Sequence, residues 1–146
     1  MTSSSIAATA RKAICVSPQD TVLMAVDASI PEKAGAVAVV ENGLLVGILS
    51  ERDVMVKVLH QRLDPNTTLV RDVMTTEVMT IRPDTPFEEI MGLMLKKHIR
   101  HLPVSADGKT VTEMVSLRNV LQHLVIEMKS SLRHMESYLN ADSPGG

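Results

Sequence analysis

A chain of 146 residues that is 45% hydrophobic and 22% charged has the balance of a folded globular protein, long enough for one ordinary domain or two small ones packed together. Its 15 basic and 17 acidic residues exclude non-specific binding along a nucleic-acid backbone, which needs a large positive excess. A single cysteine excludes an internal disulfide and a multi-cysteine zinc site, and no apolar run approaches the about 20 residues that cross a bilayer; a cytoplasmic location is expected, with no membrane and no nucleic-acid partner.

The opening MTSSSIAATARK is Ser-rich, basic and free of acids, the composition of an organelle transit peptide but short for one, and a flexible tail is expected. Cys15 stands among apolar neighbours in AICV and is expected in the core rather than as a reactive thiol. VSPQDTV leads into a helix with Val22, Ala25, Val26 and Ile30 on one face, which Pro31 should end. VAVV (37–40), the turn pair Asn42-Gly43 and LLVGILS (44–50) read as a hairpin, and a second helix carries Val54, Met55, Val58 and Leu59 on one face. HQRLDPNTTLVRDVM holds the linker signal Asp64-Pro65-Asn66 before a short amphipathic turn at Val70 to Met74.

The same order then returns. IRPDTPF repeats VSPQDTV with Pro83 on Pro18, an offset of 65. Phe87, Ile90, Met91, Met94 and Leu95 form the stripe of the next helix; LPVS (102–105), Asp107-Gly108 and KTVTEMVS (109–116) form the next hairpin, one residue longer, so that Ser116 matches Ser50 at an offset of 66. Val120, Leu121, Leu124 and Val125 repeat the face of Val54, Met55, Val58 and Leu59. Each half reads strand, helix, strand, strand, helix and is too small to be comfortable alone. The expected fold is α/β (α+β): two β-α-β-β-α repeats packed as an intramolecular pseudo-twofold pair, plus an extended C-terminal helix. The boundaries expected are a tail at 1–12, repeats at 13–64 and 65–126, a helix extension at 127–140 and a flexible tail at 141–146.

In that extension Leu121, Met128 and Met135 recur at intervals of seven, as do Val125, Leu132 and Leu139. The two stripes suit a helix pair across a homodimer; packing on its own domain is the other reading. Ten methionines and one phenylalanine make a pliable core.

These residues carry a family likeness. With VSPQDTV and GAVAVVENGLLVGILSERDV in the first half, and RDVMTTEVMTIRPDTPFEEIMGLMLKKHIRHLPVSADG with MVSLRNV in the second, the chain resembles a tandem pair of CBS (cystathionine-β-synthase) domains, a Bateman module, and in particular stand-alone bacterial CBS-pair proteins. The resemblance implies a non-enzymatic regulatory sensor that binds an adenine nucleotide (AMP, ADP or ATP) between the repeats and acts on an unknown protein partner, with no obligatory cofactor. It implies that Asp53 accepts hydrogen bonds from the ribose and Ser50 contacts ribose or phosphate. Arg100, His101 and Arg118 would face the phosphate, and Val78, Met79, Thr80 and Ile99 would flank the adenine. A nucleotide needs such a set: polar groups for the sugar, cations for phosphate and apolar walls for the base. Two or three charge-assisted hydrogen bonds of about 1.5–3 kcal/mol each would support micromolar affinity.

Read alone, Ser50 and Asp53 also suit a helix N-terminus, and Lys96, Lys97 and His98 a helix C-terminus. His98-x-x-His101 lacks an obvious third metal ligand. The second repeat departs from the pattern: Glu113 stands at the place of Gly47, Asn119 at that of Asp53, and Gly35 and Ala36 at those of Arg100 and His101. One competent site and one degenerate cleft are therefore expected. An adaptor with vestigial clefts is the alternative function; a Ser-His-Asp hydrolase has no G-x-S-x-G elbow to support it.

Overall fold

The computed structural model describes residues 9–141; most of the expected N-terminal tail and residues 142–146 lie outside the described residues. The elements are β1 (Arg11–Lys12), β2 (Cys15–Val16), α1 (Val22–Ser29), β3 (Ala36–Glu41), β4 (Leu44–Ser50), α2 (Glu51–Asp53) running into a π-helical segment (Val54–Leu59), α3 (Val70–Val73), α4 (Phe87–Lys97), β5 (His101–Val104), β6 (Glu113–Ser116) and α5 (Leu117–Ala141). Arg11 and Lys12, within the span expected as tail, are thus a strand.

Local chemistry sets the boundaries. Thr21 starts α1 by accepting the Met24 N–H on its hydroxyl at 3.2 Å. Asn42 (φ 52°) and Gly43 (φ 77°) take the two left-handed positions of the tight β3–β4 turn. α4 begins behind Pro86 with Glu88 and Glu89 in its first turn and ends with Lys96 and Lys97 before a left-handed His98, each charge matching the helix dipole.

Two three-stranded sheets result, β2-β3-β4 and β1-β6-β5. In the first, Val16 pairs parallel with Val39; in the second, Ile81 pairs parallel with Val104, the same contact 65 residues on. The strand that leads into one repeat is bonded to the sheet of the other. Arg11 and Lys12 pair antiparallel with Met114 and Glu113 of β6, and Thr75 pairs antiparallel with Ile48 of β4. Each repeat has its own core. One is built on Val22, Val39, Leu49, Val58 and Val70, the other on Ile90, Leu102, Val115 and Val120. A third cluster, Ala13, Ala38 and Met114 with Ile48 and Val111 against it, joins them. Small side chains there let the sheets approach closely.

Several expectations change. Cys15 is exposed, not core: on a two-residue strand the faces alternate, and Val16 takes the inward one. Leu95 and Ile30 lie on the outer edges of their stripes and are exposed. Of the repeated helix faces only Val58 and Val120 are fully buried, while Met55, Leu59, Leu121 and Val125 are exposed. The hairpin strand expected over 109–116 is ordered as strand only from Glu113. Asp107 Oδ1 accepts from Lys109 N and Thr110 N, both at 2.8 Å, and this holds the preceding backbone in a loop. That loop instead docks on the first repeat, where Leu45 N donates to Lys109 O at 2.7 Å.

Candidate functional site

Both repeats close their last strand with the same hydrogen-bonded box. In the first, Ser50 N and Ser50 Oγ donate to Asp53 Oδ2, each at 3.0 Å, and Asp53 N returns a bond to Ser50 Oγ at 3.1 Å. In the second, Ser116 N and Ser116 Oγ donate to Asn119 Oδ1, each at 2.8 Å, and Asn119 N donates to Ser116 Oγ at 3.2 Å. The amide oxygen of Asn119 does the work of a carboxylate oxygen here, leaving its NH2 as a donor that Asp53 lacks. Asp53 is further engaged by Lys57 Nζ at 3.1 Å and by Thr75 Oγ1 at 3.4 Å; Lys57 also donates to Val73 O at 3.2 Å.

Above the second box lies a cavity of about 1060 Å³. Its walls come from β1, the C-terminal end of α1 with the loop that follows, the residues leading into β5, the end of β6 and the first turns of α5. Arg100, His101 and Arg118 line it together with Ser116 and Asn119. A much smaller neighbouring cavity, about 190 Å³, is lined by Ser50, Glu51 and Val54 with apolar residues of α1 and β3.

The nine residues expected at the ligand are therefore divided. Arg100, His101 and Arg118 share the large cavity; Ser50 lines the small one; Asp53, Val78, Met79, Thr80 and Ile99 line neither. Glu113, which stands at the place of Gly47, lies across the ladder from Lys12 and Val104 and does not line the large cavity. Gly35, read as a missing basic residue, is the space that admits His101: a Cβ there would lie 2.8 Å from His101 Nε2 and 3.2 Å from Glu51 Oε1. Burial holds the His101 imidazole below its ordinary pKa; Glu51 opposes this and Arg100 adds to it.

Arg11, Lys12, Ile14 and Lys33 also line the large cavity, and sequence reasoning missed them. The 65-residue offset carried the signal. Subtracting it from Val78, Met79 and Thr80 gives Ala13, Ile14 and Cys15, the segment that runs along the second repeat just as Thr75 runs along the first. Among the described residues no group of three His, Cys, Asp or Glu side chains could hold a metal ion, and His98 is exposed at the end of α4. No helix of the described residues is long and apolar enough to cross a membrane.

Comparison with known proteins agrees with this architecture. The CBS domain family matches residues 4–60 and 70–126. The chain is 36% identical over 125 residues to the CBS domain-containing protein CBSX3, mitochondrial, of Arabidopsis thaliana, an alignment covering 82% of this chain and 60% of that protein. The crystal structure of the CBS-domain containing protein ATU1752 from Agrobacterium tumefaciens superposes with a TM-score of 0.71 at 26% identity, covering 77% of this chain and 90% of that one. The CBS domain pair of protein MJ0100, solved in complex with 5′-methylthioadenosine and S-adenosyl-L-methionine, shares the fold with a TM-score of 0.74 at 24% identity, over 83% of this chain and 99% of that one. With two matched repeats in tandem and the segment entering each repeat hydrogen-bonded to a strand of the other, this chain belongs to the CBS domain family as a tandem CBS pair.

Proposed function

We propose that this chain is a non-catalytic regulatory module that binds an adenine nucleotide of the AMP, ADP or ATP type in the cavity above Ser116 and Asn119, and that binding changes its conformation or assembly toward a protein partner in the cytoplasm. The observation that carries the reading is the convergence of Arg100, His101 and Arg118 on one cavity with a hydroxyl and an amide at its floor. Ser116 and Asn119 suit ribose hydroxyls, and an Arg fork suits phosphate. That the MJ0100 pair was solved with two adenosine compounds supports the same ligand class here. Ser50 and Asp53, with Val78, Met79, Thr80 and Ile99 beside them in the pseudo-twofold scheme, would form the second cleft, where Lys57 already occupies the Asp53 carboxylate. Native mass spectrometry of protein purified from cells tests the reading. An adduct with the mass of an adenosine compound is expected, and protein that carries none and shows no thermal shift with AMP, ADP or ATP would favour the adaptor.

His101 gives the reading a pH signature. Its depressed pKa means that the unliganded fold binds fewer protons than the unfolded chain, so its contribution to stability is complete above the ordinary imidazole value of about 6.5. That contribution is lost as pH falls through the lower, folded value. A bound phosphate would raise the imidazole pKa and draw in a proton. Calorimetry at pH 6.5 in buffers of different ionisation enthalpy should therefore report net proton uptake that is absent in His101→Gln; equal proton exchange in both proteins would contradict the placement of His101 at the anion.

Along α5, Val125, Met128, Leu132, Met135 and Leu139 are all exposed, an apolar stripe too long to be left to water in a monomer. We assign it to a homodimer. Leu132→Glu is expected to convert a dimer to a monomer in sedimentation velocity without loss of helicity, and a wild-type chain that sediments as a monomer would remove the assignment.

A further inference from the structure

The large cavity has a charge of its own. Five Lys and Arg side chains line it, Arg11, Lys12, Lys33, Arg100 and Arg118, against two carboxylates, Glu32 and Glu51, a formal excess of three positive charges in a chain whose formal net charge is −2. The cations are not one surface run. They arrive from β1, from the loop after α1, from the residue before β5 and from the first turn of α5, so the fold has gathered them around one space. Arg11 is anchored where it stands, donating from Nη1 to Glu32 O at 3.4 Å and pairing through its backbone with Met114. The cavity, at about 1060 Å³, also reaches the upper end of the roughly 300–1,000 Å³ typical of small-molecule sites.

A monophosphate carries at most two charges and is satisfied by Arg100 and Arg118 beside the Ser116 box. Arg11, Lys12 and Lys33 would then have only Glu32 and Glu51 against them, one positive charge in excess, and like charges left around a shared low-dielectric space repel one another. A positively charged sulfonium nucleoside would add to that repulsion, and an uncharged thioether nucleoside would gain nothing from the cations. Resting on the adenine-nucleotide reading above, we infer that the ligand carries a chain of two or more phosphates, whose far end is held by Arg11 and Lys12 of β1. A diphosphate or triphosphate nucleotide thereby ties the segment entering the first repeat to the cleft of the second.

Titration calorimetry at fixed ionic strength with AMP, ADP, ATP, 5′-methylthioadenosine and S-adenosylmethionine tests this. Affinity should rise from AMP to ATP by at least tenfold, with S-adenosylmethionine the weakest. In an Arg11→Gln, Lys12→Gln double variant, confirmed folded by its far-UV spectrum and thermal midpoint, most of the gain from AMP to ATP should vanish while AMP affinity stays within about threefold of wild type. Equal affinity for AMP and ATP, tightest binding of the thioether or sulfonium compound, or an unchanged ATP preference in the double variant would overturn the inference and leave the cleft assignment standing. Failure of all five compounds to bind would overturn the cleft assignment itself.

Discussion

Replacing Arg100 and Arg118 together by alanine is expected to weaken adenine-nucleotide binding by about 100-fold or more, because two charge-assisted hydrogen bonds of about 1.5–3 kcal/mol each are lost at the anion. Both side chains are exposed on the wall of the large cavity, so neither truncation opens a hole in a core. The thermal midpoint without ligand should scarcely move, in keeping with surface substitutions that change stability by about 0.5 kcal/mol or less. Calorimetry and thermal unfolding on the same preparation separate the two effects. A double variant that keeps its affinity would remove the phosphate from this cavity, and one that unfolds early would show that the pair serves structure.

Leu102→Ala should cost about 2–5 kcal/mol of folding stability. Leu102 is fully buried at the centre of β5, in one cluster with Ile90, Val115 and Val120. Its neighbours are held by the β5–β6 ladder and can collapse only partly into the space it leaves. Against a total stability of about 5–15 kcal/mol, this loss is large enough to read directly from the midpoint of a urea transition. Leu95→Ala is the matched control: the same chemistry on a side chain 68% exposed should shift the midpoint little. Equal losses at the two positions would contradict the packing described for the second repeat.

The repeat itself was legible because it is written twice. Hydrophobic period, turn pairs and closing serines recur at a nearly constant offset, so an accident in one copy is checked by the other. The helix faces were legible only in part. Met55, Leu59, Leu121 and Val125 continue the buried stripes in sequence but are exposed in the chain alone, because periodicity reports that a face is apolar and not what covers it. Of the residues read as one site, Arg100, His101 and Arg118 line the large cavity and Ser50 the small one, a partition that the sequence did not show. Which cleft receives Arg100 and His101 depends on β1 crossing to β6 and on Gly35 leaving room for an imidazole. Those are tertiary facts, carried by a two-residue strand too short to show any period and by a residue whose contribution is the absence of a side chain. Asn119 departs in sequence from the aspartate of the first copy. In the fold it makes the same three-bond box as Asp53, since the box needs one oxygen acceptor at that place and not a charge.

The most direct measurement is a crystal structure of the chain grown with ATP. Density for the nucleotide is expected with its ribose against Ser116 and Asn119 and its phosphates among Arg100, His101 and Arg118. A nucleotide seated instead on Ser50 and Asp53, with the larger cavity empty, would contradict the site proposed for this CBS pair.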